Sequence, residues 1–151
     1  MKLASLLLSA TCVLTANVGL AQSRYSYSPD ASEVTDSQTG LVWRRCAEGM
    51  AWSGSTCTGT TATYTHEAAL ARARTQTGWR LPNVKELGSI ADRTRVGPAI
   101  DMVAFPATSS NSFWSSSPDA GRMGFSWVVG FNNGLVESYF RRSVVAVRLV
   151  R

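Results

Sequence analysis

The chain has 151 residues and a formal net charge of +5, with 15 Lys and Arg against 10 Asp and Glu, three cysteines and one histidine. That length suits one domain with a real core. So few metal-binding and titratable side chains argue against a metal centre or a histidine-based catalytic set.

Residues 1–21 have the form of a secretory signal: Lys2 supplies the positive start, Leu3 to Leu14 is mostly apolar, and Gly19-Leu20-Ala21 favours cleavage after Ala21. The apolar run is shorter than the roughly 20 residues a spanning helix needs, so no membrane span is expected after cleavage. An exported chain follows, periplasmic or extracellular. Cleavage removes Lys2 and Cys12, leaving a balance of +4 and the cysteines Cys46 and Cys57. These can pair as a disulfide in an oxidising compartment. A zinc site is the rival, but two cysteines eleven apart with no nearby histidine are a poor ligand set. No metal or cofactor is expected.

Residues 22–33 are polar and read as a leader or a loosely attached first strand, with the domain proper over 34–151. Val34-Thr35 enters a turn at Asp36 to Gly40, and Leu41-Val42-Trp43 returns as a strand. Residues 46–63 are rich in Gly, Ser and Thr and read as a long loop around Trp52. Thr65 is placed to cap a helix through Ala73, with Glu67 suited to the helix dipole.

Gly78-Trp79-Arg80-Leu81-Pro82-Asn83 then forms a corner. Pro82 holds Leu81 extended. Asn83 can cap a second helix, and Glu86 three residues on completes a capping box. Val84, Leu87, Ile90 and Ala91 give that helix an apolar stripe, which stops by Gly97-Pro98. Strands are expected at Phe113 to Ser117, Phe125 to Phe131, Leu135 to Phe140 and Val144 to Val150. Asn132-Asn133-Gly134 is a hairpin signal. Trp127, Val129 and Phe131 alternate onto one face. Helices first and a strand meander after them mean α+β.

Taken in order, Asp36…Thr39-Gly40-Leu41-Val42-Trp43, the Cys46…Cys57 loop, Gly78-Trp79-Arg80-Leu81-Pro82…Glu86-Leu87, Phe105-Pro106, Trp114-Ser115-Ser116, Phe131…Gly134 and Val147-Arg148-Leu149-Val150-Arg151 resemble the C-terminal domain family of the Legionella collagen-like (Lcl) adhesin. The resemblance implies a C-type-lectin-like fold, with two helices packed on a twisted antiparallel sheet and the termini close together. Many members carry a cysteine where this chain has Leu149, which leaves Cys46–Cys57 as the one disulfide. The collagen stalk of the namesake is absent.

The chemistry reads as binding. His66 has no Ser or Cys partner in an obvious motif and is expected to be a surface helix residue. The Glu-Pro-Asn and Trp-Asn-Asp sequences of calcium-dependent lectins are missing, so any glycan would bind without calcium. Arg141 and Arg142 on a turn, with Arg122 on the loop before the sheet, can hold sulfate or carboxylate groups bidentately, or form ordinary solvated turns. Asn132 and Asn133 join them as candidate ligand residues. Arg80 and Arg148 read as internal ion-pair or packing residues. Trp43, Trp79, Trp114 and Trp127 read as core, whereas Trp52 either stacks on a sugar or plugs its loop onto the domain.

The expectation is therefore a non-enzymatic ligand-binding or adhesion module. Its partner would be a sulfated or acidic polysaccharide or an envelope protein, with no specific nucleic acid. An accessory subunit of a cell-envelope assembly is the alternative, and an uncharacterised enzyme stands third.

Overall fold

The structure is a computed structural model and describes residues 23–151. The expected signal peptide, residues 1–21, and Gln22 lie outside the described residues.

Three short antiparallel strands open the domain: β1 (Tyr25–Tyr27), β2 (Glu33–Asp36) and β3 (Val42–Arg44), in the order β1-β2-β3. Of the two readings of this stretch, a leader or a loosely attached first strand, β1 is the strand, and it is not loose: Tyr25 is buried and pairs with Asp36. Its ring meets Phe105 edge-on at 5.6 Å, so this strand is fixed to the core. The β2–β3 turn forms as expected, with Asp36 at its start.

The Gly/Ser/Thr stretch, read as a plain loop, contains a small hairpin: β4 (Met50–Trp52) pairs with β5 (Cys57–Gly59). Gly49 permits its approach, with φ at +87° and a Cβ there falling 2.5 Å from the Ala62 nitrogen. A two-residue strand, β6 (Thr63–Tyr64), leads into helix α1 (His66–Arg74).

Thr65 caps α1 by accepting from the Ala68 N–H. Helix α2 (Val84–Ser89) begins at the expected capping box: Asn83 accepts from Lys85 and Glu86, and the Glu86 side chain accepts from the Asn83 N–H. It is shorter than the apolar stripe suggests. Ile90 is its C-cap, and the chain then doubles back, with Ala91 bridged to Ile100 and the Asp92 N–H donating to Ala99.

The main sheet has five strands in the order β6-β10-β7-β8-β9, with β7 at Ser112–Pro118, β8 at Phe125–Gly130, β9 at Leu135–Phe140 and β10 at Val145–Ala146. The meander β7-β8-β9 is the one expected. The closing strand differs: β10 crosses back beyond β7 and runs parallel to it, and Val150 pairs separately with Trp43 and Arg80. A single antiparallel sheet is therefore corrected to three sheets among the described residues, the largest mixed. Parallel placement buries the segment on both faces, which explains why Val145 to Val150 is apolar except for the buried Arg148.

Alternation along these strands makes two cores. Phe113, Val129, Phe131 and Ala146 face α2 through Leu87 and Ile90, joined by Trp43 and Phe105. Trp114, Val128, Val145, Val147 and Leu149 face α1 through Ala69 and Ala73. The helices thus cover opposite faces of one sheet. Trp43 and Trp114 are core as expected, whereas Trp79 and Trp127 are only half-buried.

Candidate functional site

The corner before α2 is built as its sequence implies. Arg80, read as internal, is exposed at the surface, where its guanidinium grips Glu86 through two bonds of 2.7 and 2.8 Å. Hydrogen bonds from Arg80 hold the Glu86 carboxyl below its ordinary value, against the opposing effect of burial. Leu81 and Pro82 are buried. Trp79 lies against two guanidinium groups, those of Arg44 at 4.9 Å and Arg151 at 4.8 Å. These residues fix geometry and leave little free to bind.

Cys46 and Cys57 form the disulfide, with Cα atoms 5.4 Å apart. Trp52, inside that loop, donates from Nε1 to the Asp30 carbonyl at 2.9 Å, and the Arg45 guanidinium sits 4.2 Å over its ring. Arg45 is itself buried, donating to the carbonyls of Ala31, Val103 and Ala104. Of the two readings offered for Trp52, this geometry is that of the plug.

The remaining ligand candidates separate to the two ends of the β8–β9 hairpin. Phe125 pairs with Phe140 at one end and Gly130 with Leu135 at the other, about 17 Å apart for strands of this length. Arg122, Arg141 and Arg142 belong to the first end. The Arg122 guanidinium lies 4.2 Å over the Phe125 ring, while Arg141 Nε donates to the Phe125 carbonyl and, at 2.9 Å, to Ser126 Oγ. Arg142 is exposed and has no side-chain partner among the described residues. Asn132 and Asn133 turn the chain at the far end, where Asn133 Oδ1 accepts from the Leu135 N–H.

Charge bookkeeping singles out the arginine end. Arg24, Arg44, Arg72, Arg80, Arg95 and Arg151 each pair with a carboxylate. Arg45 and Arg148 are buried against carbonyls. Of the six basic side chains left over among the described residues, Arg122, Arg141 and Arg142 gather here. Arg148, read as internal, is indeed wholly buried, but its partners are carbonyls and Thr108 Oγ1 rather than a carboxylate.

Beside these arginines runs a groove lined by Thr65, His66, Glu67, Leu70, Ser116, Arg141 and Arg142. His66 is not the surface residue its position suggested. It is buried, its Nε2 lies 3.0 Å from the Ser115 carbonyl, and its ring meets Trp114 edge-on at 5.2 Å. A carbonyl at that distance places a proton on Nε2. Burial pushes the imidazole below its ordinary 6.5, Arg141 adds to the lowering, and the Ser115 carbonyl opposes it. The lone histidine thus lines a groove that sequence reading did not assemble, because the β7–α1 contact behind it is remote in the chain.

A disulfide-tied α+β domain with solvent-facing grooves on a mixed sheet is the class these features define. The family model of the Lcl C-terminal domain matches residues 32–151, and the chain belongs to that family. A comparison with curated proteins finds no match.

Proposed function

We propose that this chain is an exported, non-enzymatic binding or adhesion module that holds anionic glycans at the Arg122, Arg141 and Arg142 end of its main sheet, on a scaffold of the C-type-lectin kind. One observation carries the reading: Arg141 and Arg142, free of carboxylate partners, line one groove, with Arg122 on the Phe125 ring at the same end of the hairpin, in a chain that ties most of its other arginines to acids or carbonyls. Guanidinium forks suit sulfate and carboxylate groups, and a positive end attracts extended polyanions. The reading is non-enzymatic because His66 Nε2 is committed to the Ser115 carbonyl, and its ring bonds to no hydroxyl or thiol among the described residues.

The test is chromatography on immobilised heparin. The protein is expected to be retained at low ionic strength and released as salt rises. The variant R141A/R142A is expected to elute earlier. Passage of the unaltered protein straight through at low salt would remove the reading.

An accessory role in an envelope assembly draws on a different observation. β9 is the outer strand of the main sheet, and Leu135, Val136 and Phe140 on it are each more than 40% exposed. An open edge with apolar side chains is suited to a protein partner. Co-purification of a stoichiometric partner, with no retention on heparin, would select this role instead.

A further inference from the structure

The Asn132 turn borders a concavity that the arginine end does not use. Thr63 reaches it from β6, Ser112 from β7, and Glu137 and Tyr139 from β9, with Asn111 and Asn132 at its rim. Val144, exposed just before β10, supplies apolar surface beside them, with the buried Val145 and Ala146 behind it. The volume is about 470 Å³, within the range of small-ligand sites. Strand order explains the meeting: β10 lies between β6 and β7, and β8 carries β9 alongside. Glu137 pairs with Val128, so Glu137 and Tyr139 leave the same face of β9.

The lining chemistry is unlike the rest of the surface. No Arg or Lys borders the concavity. The side chains of Thr63, Asn111, Asn132 and Glu137 bond to no described residue, while Ser112 Oγ and Tyr139 Oη share one hydrogen bond at 3.3 Å. Elsewhere Glu33, Asp36, Glu48, Glu86 and Asp92 each hold an arginine. Asp30, Asp101 and Asp119 hold hydroxyl or backbone partners instead, whereas Glu137, like Glu67, holds neither kind. Donors and acceptors are therefore left in uncharged pairs around one carboxylate.

That carboxylate repels anions, so a sulfated or uronic chain is the wrong ligand here. Hydroxyl groups fit. They donate to Glu137 in charge-assisted bonds and to the carboxamide oxygens, and accept from the carboxamide N–H and from Thr63 and Ser112. The apolar face of a pyranose ring can lie on the exposed Val144 and the Tyr139 ring. We propose that this concavity binds a neutral saccharide unit, whose hydroxyls are read by Asn111, Asn132 and Glu137. The site runs from the Asn132 turn along β9 to Tyr139, shares no lining residue with the arginine groove and does not depend on polyanion binding.

The test is a titration of the ¹⁵N-labelled protein, followed by NMR, with glucose, galactose, mannose, N-acetylglucosamine and lactose. Lysine amide serves as a cationic probe. At least one sugar is expected to move the amides of residues 111–113, 132–133 and 137–139 saturably. The midpoint should stay the same in about 1 M NaCl, where charges are screened beyond about 3 Å. N132A and E137A should each weaken binding about tenfold, the loss expected for one hydrogen bond in a small site. The proposal is overturned by the absence of saturable shifts with all five sugars, by shifts confined to lysine amide or abolished by salt, or by unchanged midpoints in both variants.

Discussion

His66 occupies the first position of α1, where a side chain ordinarily meets water, yet its ring is enclosed between Trp114 and the strand carrying Ser115. The charged groups around it are Arg141 and Arg142 across the groove and Glu67 on its own helix. Because its native pKa lies below 6.5, neither state is protonated well above that value and His66 then has no effect on the pH dependence of folding. As pH falls below 6.5, the unfolded chain takes up a proton that the folded chain resists, so stability declines until the native pKa is reached. The carboxylates held by hydrogen bonds, Asp36 and Glu86, lose their contribution in a more acid range, below the ordinary carboxylate values. The expected outcome is a urea midpoint that falls between about pH 7.5 and pH 5.5, with H66Q showing a shallower fall in that window. Equal slopes for both proteins would contradict the burial argument. Neither the enclosure nor the groove was legible in the sequence, because Ser115 and Arg141 lie 49 and 75 positions away.

Among the elements, those set by neighbouring residues were the legible ones. Thr65 and Asn83 cap the helices, and Asn132-Asn133-Gly134 turns the hairpin, because each motif is satisfied within a few residues. The end of α2 was not, since the chain beyond Ile90 is drawn away by its bonds to Ala99 and Ile100. The Cys46–Cys57 loop falls between these cases. Its pairing followed from cysteine arithmetic, whereas its β4–β5 hairpin, with three residues per strand, is too short to announce itself and would be marginal alone. The disulfide and the Trp52 plug hold it. Removing the crosslink should cost about 3 kcal/mol for a loop of this length. C46S/C57S is therefore expected to unfold at lower urea, and the Trp52 indole N–H to exchange faster as its bond to Asp30 opens. An unchanged midpoint would mean that the hairpin is held by the plug alone.

At the scale of the whole molecule, the last residues close the domain onto its first sheet. Val42 and Arg151 exchange backbone bonds at 2.9 and 3.0 Å, and Val150 does the same with Arg80. The α+β class and the meander could be read from periodicity, but the parallel placement of β10 could not, since a run that is apolar on both faces names no partner. Arg148 sits at this junction. It is fully buried, donates to the carbonyls of Arg44 and Arg45 and to Thr108 Oγ1, and lies 4.9 Å over the Phe105 ring. One side chain thereby joins the closing segment, the first sheet and the loop before β7. Burial pulls its guanidinium down to about 9, so it remains a cation at neutral pH. With no carboxylate to neutralise it, its three acceptors are what repay the loss of hydration. Lysine keeps the charge but lacks the planar fork that reaches all three at once. R148K should therefore leave a buried charge with fewer partners and lower the unfolding free energy by at least about 3 kcal/mol, as the loss of hydrogen bonds to a charged group implies. Urea unfolding measures this directly. A midpoint equal to that of the unaltered protein would show that the charge is accommodated without the fork, and that the closing segment is held by its backbone bonds and apolar contacts alone.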